Sequence, residues 1–127
     1  LTVHNDSGIL EDYSYQFHGR LVHTSGYGSG FAESAARLIF LSEGTAWQVP
    51  PENKQLLARH LLEHCRWVIV GQHYDLSVKG RGVLYNNVST AHLNAMLLMA
   101  AVDTPLRKRL SDAAAEMLAR RTAAVPL

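Results

Sequence analysis

A histidine and a tyrosine on a glycine-rich stretch are the residues of this sequence best suited to acid–base chemistry. His18 and Tyr27 lie nine residues apart, and Gly19, Gly26 and Gly28 flank them. Histidine titrates near neutral pH, and a tyrosine acts as a base when nearby cations stabilise its phenolate. Glycines permit tight backbone turns and the close approach of a bulky substrate. The alternative is structural, with the tyrosine filling a core and His18 hydrogen-bonded to a backbone carbonyl.

A second pattern, His60-Leu-Leu-Glu63-His64, has the H-x-x-E-H spacing of a class of zinc peptidases. Two histidines four residues apart on a helix share one face and could bind one zinc ion together. The third ligand would have to be an acidic residue on another helix, such as Glu116. Both histidines also fall on the apolar stripe of their predicted helix, so we interpret them as partly buried structural residues.

The last predicted helix carries a set of basic residues, which form either a solvated face or a patch for an acidic glycan or a partner domain. Basic side chains near a helix C-terminus interact favourably with the helix dipole, so the solvated face is the preferred interpretation. Cys65, the single cysteine, lies among apolar residues and is expected to be a small core residue. The basic residues are Arg107, Lys108, Arg109, Arg120 and Arg121.

These candidates need a scaffold, and the apolar pattern predicts an all-α fold of consecutive αα-hairpins. Pro50-Pro51 favours a helix start, because first-turn N–H groups have no partner in any case, and Thr104-Pro105 favours another. The β-branched run at 66–70 falls within a helical period and is assigned to a helix. Polar loops at 1–30 and 72–88 precede the two hairpins, and we expect them to meet on one rim at a single site. The predicted helices span about residues 31–43, 51–71, 89–102 and 105–122.

The composition is that of a folded protein and excludes several functional classes. The 127 residues are 47% hydrophobic and 18% charged, a composition that is too apolar for a disordered chain. The length is sufficient for one domain with a hydrophobic core. A net charge of +1 argues against bulk nucleic acid or an anionic membrane as a partner. A single cysteine excludes an intrachain disulfide framework, and the longest apolar runs are too short to span a bilayer. The chain opens at Leu1 without a visible signal peptide, so we expect a processed product or a piece of a longer chain.

Residues 12–19 (Asp-Tyr-Ser-Tyr-Gln-Phe-His-Gly), followed by Gly26-Tyr27-Gly28, form a motif in which His18 and Tyr27 are nine residues apart. This motif resembles the active-site signature of polysaccharide lyase family 8, the family of hyaluronate, chondroitin AC and xanthan lyases, whose His and Tyr have the same spacing. Residues 45–51 (Thr-Ala-Trp-Gln-Val-Pro-Pro) resemble a connection after the next helix of the family. Residues 74–81 resemble a loop ending in Gly-Arg, whose Arg lines the substrate cleft. The resemblance covers most of residues 8–120.

The resemblance implies part of an α/α toroid that cleaves a uronate-containing acidic polysaccharide by β-elimination. Tyr27 would remove the proton next to the uronate carboxylate and return it to the departing oxygen. His18 would help to neutralise the charge that builds on that carboxylate. Arg81 would stabilise the phenolate or the acid groups of the substrate, the alternative being a solvated loop charge.

Further binding residues and partners follow from the same resemblance. Tyr13, Tyr15 and Trp47 would stack on sugar rings, although packing at a helix end is the preferred interpretation of Trp47. The chemistry requires no cofactor and no metal. The implied partners are the acidic polysaccharide and the remaining parts of the same enzyme, without nucleic acid or membrane, in a secreted or periplasmic location. A non-catalytic carbohydrate-binding or interaction module is the alternative function.

The sequence also departs from the family pattern. Tyr13 occupies a position where the family has Trp or Gly, and Tyr85 occupies the position of a second cleft Arg. The catalytic Asn of the family, which lies well upstream of the His, and its C-terminal β-sandwich domains have no counterpart in these residues. We therefore expect this segment alone to be an incomplete enzyme.

Overall fold

Helices form most of the chain, in the residues that the computed structural model describes, which are 7–71, 73–84, 89–102 and 104–122. This confirms the predicted all-helical class, with two very short β-hairpins and two 3₁₀ turns added in the connections. The elements in chain order are β1 (Gly8–Ile9), β2 (Tyr15–Gln16), α1 (Tyr27–Ser42), α2 (Pro51–Arg59), a π-helical turn (His60–Cys65), α3 (Arg66–Val68), β3 (Ile69–Val70), β4 (His73–Tyr74), 3₁₀ turns at Leu76–Val78 and Gly80–Gly82, α4 (Ala91–Ala100) and α5 (Arg107–Thr122).

Helix α1 begins four residues earlier than predicted, so that Tyr27 is its first residue. Gly26 precedes it with φ 66°, a left-handed conformation that favours glycine. Gly28 lies inside the first turn, where a Cβ would come within 2.7 Å of the carbonyl oxygen of His23. The glycine-rich run therefore belongs partly to the helix, because close contact with the preceding loop requires residues without side chains.

The second helical segment runs through α2, the π-helical turn and α3, and it ends at Val68 rather than near residue 71. The assignment of the run 66–70 to helix is wrong in its last two residues. Ile69 pairs antiparallel with Tyr74, and Val70 pairs with His73. Gly71, with φ 65°, turns the chain between these two short strands.

Helix α1 packs mainly against α4, and α4 packs in turn against α5. Helices α4 and α5, which are consecutive in the chain, pack against each other. The main partner of α1 is α4 rather than α2, the next helix in the chain. Small residues on α1 allow this close packing, since Ala32 and Ala36 are fully buried. Leu57, Leu61 and Met96 also lie in the core, where each such side chain contributes about 1.5–3 kcal/mol by burial.

Helix α4 is shorter at both ends than the predicted 89–102, and α5 begins at Arg107 rather than at residue 105. Among the described residues, no helix has the length and apolar character needed to cross a membrane.

Candidate active site

The loop before α1 is an ordered structure tied to the helical body by two histidines of the π-helical turn, the buried His60 and the partly buried His64. His60 donates a hydrogen bond from Nδ1 to the carbonyl oxygen of Tyr13 (2.7 Å). His64 shares a 2.6 Å hydrogen bond between its Nε2 and the hydroxyl of Thr24, which is fully buried. Two points of the loop are thereby fixed to one turn of helix, and the residues between them have a defined position.

The loop brings His18, Phe17 and Tyr27 into one aromatic cluster. The ring of His18 lies edge-on to Tyr27 with centroids 5.3 Å apart, and Phe17 packs on both rings at 4.5 and 4.6 Å. His18 has φ 59°, a conformation that costs a non-glycine residue of order 1–3 kcal/mol and that clusters at functional sites. Tyr27 is 44% exposed, so its hydroxyl is accessible to a ligand.

The two polar loops meet at this cluster, as the sequence predicted. Arg81 donates a hydrogen bond from Nη2 to the hydroxyl oxygen of Tyr27 (3.3 Å), and the backbone N–H of Ser25 donates to the carbonyl of Val78 (3.1 Å). A guanidinium at this position stabilises negative charge on the phenol oxygen. An exposed phenol beside a cation and a histidine is an arrangement able to move a proton to and from a bound substrate.

Sequence reasoning missed two residues of the cluster, Phe17 and His23. His23 is buried, with its Nδ1–H donating to the carbonyl of Ser25 (2.8 Å), and its ring lies edge-on to Tyr27 at 5.2 Å. Its only sequence signal was a further histidine between His18 and Tyr27, and its importance depends on contacts that no local pattern reveals.

The three predicted sugar-stacking residues have different surroundings. Trp47 is 86% exposed, with a free face, so the preferred interpretation as helix-end packing is wrong. Tyr15 is 6% exposed and stacks on Phe31 at 5.0 Å, so its burial argues against a sugar-stacking role and favours a structural one. Burial also raises the pKa of the Tyr15 phenol. Tyr13 is half-buried with φ 65°, and its backbone carbonyl is the anchor for His60.

An apolar cavity of about 980 Å³ lies beside the cluster. Tyr15 and Phe17 line one side of it, and Phe31 and Leu38 of α1 line another. Trp47 completes the lining from the connection between α1 and α2. Because Phe17 also touches Tyr27, the cavity and the polar cluster adjoin each other.

The H-x-x-E-H residues do not converge on a common point. The rings of His60 and His64 stack at 5.7 Å, and each is committed to the loop contact described above. Glu63 accepts hydrogen bonds from Arg59 and Arg109, and Glu116 accepts from Arg66 and Arg120. This arrangement favours the structural interpretation of both histidines.

A different buried set, His60, Cys65 and His92, is the one group of described residues with the side chains to hold a metal ion. One potential ligand atom from each lies within 4.8 Å of the others. Ligand atoms on one tetrahedral zinc are roughly 3.3–3.6 Å apart, given the usual bond lengths, but the side chains of this set are engaged in hydrogen bonds. The thiol of Cys65 instead donates to Nε2 of His60 (3.3 Å), and Nδ1 of His92 bonds to the hydroxyl of Tyr74 (3.0 Å).

Burial sets the ionisation of this group. Desolvation lowers the pKa of His60 to about 4 and that of His92 to about 3, so both are neutral at pH 7. Desolvation also lowers the pKa of His64, against a smaller opposing effect of Asp12. Cys65 is fully buried in the core, which confirms the expected small core residue, and this burial raises the pKa of its thiol.

The basic residues of the last helix are mostly paired within the protein. Lys108 bonds to Asp112, Arg109 to Glu63 and Arg120 to Glu116. Arg121 donates to the backbone carbonyl of Ser89. These pairs favour the solvated face over a binding patch. Tyr85, at the position of a second cleft Arg, lies outside the described residues.

Comparison with known proteins extends these observations. Residues 1–119 match the profile of polysaccharide lyase family 8, N-terminal alpha-helical domain. A curated relative, the chondroitinase-AC of Pedobacter heparinus, is 26% identical over 115 residues, which are 89% of this chain and 16% of the relative. The chain thus spans a small part of the relative that it matches.

A solved chondroitinase AC lyase structure, from work on its complexes with oligosaccharides, superposes with a TM-score of 0.79 and 24% identity. The match covers 98% of this chain and 18% of that one. It shows the fold, and confirms that these helices form part of an α/α toroid.

Proposed function

The chain belongs to polysaccharide lyase family 8, and from this membership we propose that it takes part in the β-elimination of a uronate-containing acidic polysaccharide. The observation that carries the proposal is the contact of 3.3 Å between the exposed hydroxyl of Tyr27 and the guanidinium of Arg81, with the ring of His18 alongside. Two acid–base side chains, a positively charged side chain and solvent exposure therefore occur together around the hydroxyl of Tyr27.

In the proposed reaction Tyr27 acts first as base and then as acid. Its phenolate takes the C5 proton of the uronate, the C–H electron pair becomes the C4–C5 double bond, and the bond from C4 to the glycosidic oxygen breaks. The phenol then gives the same proton to the departing oxygen, which restores the phenolate. No redox partner is involved, and the products are an unsaturated uronate end and a new hydroxyl end.

The other two residues handle charge. Removal of the C5 proton places negative charge on the adjacent carboxylate, which must be neutralised by hydrogen bonds or cations. His18 is held beside Tyr27 in a left-handed backbone conformation and is proposed to donate to that carboxylate. Arg81 is proposed to stabilise the phenolate of Tyr27 between the two proton transfers.

We propose that Trp47 and Tyr13, the two candidates whose side chains are not fully buried, stack on sugar rings. Trp47 offers an exposed indole at the cavity, and Tyr13 lies on the loop that carries His18. Aromatic faces are suited to the apolar faces of sugar rings. Because the curated relative is named a chondroitinase, chondroitin is the first substrate to test, followed by hyaluronan, xanthan and alginate.

The remaining parts of a larger enzyme are the proposed protein partners. Exposed apolar side chains at Leu38 and Trp47 line the apolar cavity, and Leu41 of α1 is exposed as well. Contiguous exposed apolar surface often marks an interface. The small share of the curated relative that this chain spans, 16%, supports helices of the same enzyme as the cover, and a catalytic Asn would be supplied from them.

We also propose that the enzyme acts outside the cytoplasm, in the periplasm or after secretion. A long charged polysaccharide does not cross a membrane intact, so a lyase that shortens it must meet it outside.

The full-length protein should release an unsaturated uronate, detected by its ultraviolet absorbance, from at least one of the four polysaccharides. Tyr27→Phe should reduce kcat at least about 100-fold, because loss of a general base removes 10²–10⁴-fold of rate, while polysaccharide binding persists. Tyr74→Phe is the matched control: it also removes one hydroxyl, but from the buried contact with His92, and should leave turnover intact.

Retained turnover in Tyr27→Phe would refute the assigned role. Binding of these polysaccharides by the full-length protein without any unsaturated product would instead support a carbohydrate-binding module.

A further inference from the structure

The ring of His23 is buried between Tyr27 and the second loop of the candidate site. On one side the ring is edge-on to Tyr27 at 5.2 Å. On the other side is the backbone of Gly80, where a Cβ would lie 2.6 Å from Cδ2 of His23 and 2.8 Å from its Nε2. A side chain at position 80 would require the His23 ring to shift, and the φ of 54° at Gly80 also favours glycine there.

The main chain around His23 fixes where the ring stands. Its N–H donates to the carbonyl of Tyr15 (2.9 Å), and its own carbonyl accepts from the N–H of Gly28 (3.0 Å). The side chain is oriented by the bond from Nδ1–H to the carbonyl of Ser25 (2.8 Å). The ring is therefore a rigid part of the catalytic loop.

The remaining nitrogen shows what the ring is used for. Nε2 of His23 is buried and has no hydrogen-bond partner among the described residues. An unsatisfied buried acceptor lowers stability, and this nitrogen makes no hydrogen bond to the described residues that would hold the ring in place. The shape of the ring is the property that both neighbours use.

We propose that His23 is a positioning residue, a rigid spacer that sets the separation between Tyr27, at the start of α1, and Arg81, next to Gly80 on the second loop. These two residues lie far apart in sequence, and the segments that carry them are joined near the site by the backbone bond from Ser25 to Val78 and by the His23 ring. Without the ring, Tyr27 and the 3₁₀ turn at Gly80–Gly82 lose their common contact. The proposal rests on the proposed function for its catalytic consequence, but its structural part does not.

The first experiment compares His23→Ala with His73→Ala in the full-length protein, His73 being an exposed histidine on β4. With chondroitin, or whichever of the four polysaccharides the wild type cleaves, His23→Ala should lower kcat about 10- to 100-fold. A displacement of about 1 Å between reacting groups has an effect of that size. KM should change less than about threefold, since the spacer does not touch the sugar. An unchanged kcat would overturn the proposal.

Two conservative variants distinguish a role of the His23 ring as a spacer from a role of its hydrogen bond to Ser25. His23→Phe keeps a planar ring but has no donor for Ser25, whereas His23→Asn keeps a donor at the Nδ1 position without the ring. The spacer predicts that Phe restores more of kcat than Asn, and the reverse order would refute it. His23→Phe also keeps the question answerable if His23→Ala fails to fold.

A double-mutant cycle tests whether His23 acts through Arg81. If it does, His23→Ala should reduce kcat further by less than about twofold in an Arg81→Ala background, because the group being positioned is already gone. Fully multiplicative losses would overturn this route.

Hydrogen exchange provides a measurement that does not require turnover. Amides of residues 76–82 should exchange faster in His23→Ala than in the wild type, with no change in His73→Ala. If the wild type cleaves none of the polysaccharides, the proposed function fails, yet this result still decides whether His23 holds the two loops together. Unchanged exchange would refute the spacer itself.

Discussion

Lowering the pH from about 7.5 to about 5.5 should destabilise the protein by about 3 kcal/mol, because two histidines are buried without charge. Their folded pKa values are about 4 for His60 and about 3 for His92. In the unfolded chain both titrate near 6.5. Below that pH the unfolded state binds more protons than the folded state, so their contribution to stability is present above pH 6.5 and is lost as the pH falls towards 4.

The magnitude follows from the shifts. Well below pH 6.5 each buried neutral histidine costs about 1.4 kcal/mol per pH unit, and over this window each accounts for about 1.3 kcal/mol. The loss of unfolding free energy across this pH window depends on the unfolded-state pKa, because both folded-state pKa values lie below the window. His64, whose pKa is also lowered, adds to the same trend. The lowered pKa values of Asp12 and Asp75 act at more acidic pH and leave this window unaffected.

Urea unfolding followed by circular dichroism at a series of pH values measures this dependence. His92→Gln removes one of the two main titrating groups and should roughly halve the slope of the unfolding free energy against pH. His73→Gln, at an exposed histidine, should leave the slope unchanged. An unfolding free energy that differs by less than about 0.5 kcal/mol between the two pH values would refute neutral burial of His60 and His92.

Two further pairs of variants test the packing and the ion pairs. Gly28→Ala should destabilise by about 1–3 kcal/mol, because its Cβ would lie 2.7 Å from a backbone carbonyl oxygen. Gly30→Ala, with open space at the Cβ position, should stabilise by about 0.5–1 kcal/mol, and thermal unfolding of both compares them. Glu43→Gln should cost about 1–3 kcal/mol, because it leaves the buried ammonium of Lys54 without its carboxylate at 2.6 Å. Asp112→Asn, in an exposed pair, should change the unfolding free energy by less than about 0.5 kcal/mol, and equal effects in the two variants would contradict the burial argument.

Helical periodicity predicted the fold class and the approximate helix positions, but not where α1 begins. The pattern of apolar residues is first visible at Phe31, because the first turn of α1 is built of glycine, serine and an exposed tyrosine. What makes that turn helical is packing of Gly28 against the preceding loop, which is a tertiary contact. The strand at Ile69–Val70 was missed for a similar reason, since its pairing with His73–Tyr74 depends on the turn at Gly71.

The polar residues of the candidate site were predicted from the family resemblance, whereas the residues that hold them in place were not. His18, Tyr27 and Arg81 belong to sequence patterns, and the structure brings Tyr27 into contact with Arg81 and His18. Phe17 and His23 stand beside Tyr27 because two loops far apart in sequence meet there. Nothing in the local sequence distinguishes a histidine that separates two loops from one that faces solvent.

The anchoring of the loop that carries His18 links the candidate site to the predicted acid sensitivity of the fold. Neutral His60 donates from Nδ1 to Tyr13 and accepts at Nε2 from the thiol of Cys65. Protonation turns both ring nitrogens into donors, so the thiol loses its acceptor and a charge is left inside the core. His60, whose protonation should destabilise the folded protein in acid, is therefore also the residue that anchors the loop carrying His18. The proposed activity should fall at acid pH as this loop loosens, and amide hydrogen exchange of the loop residues measures that loosening without any need for turnover.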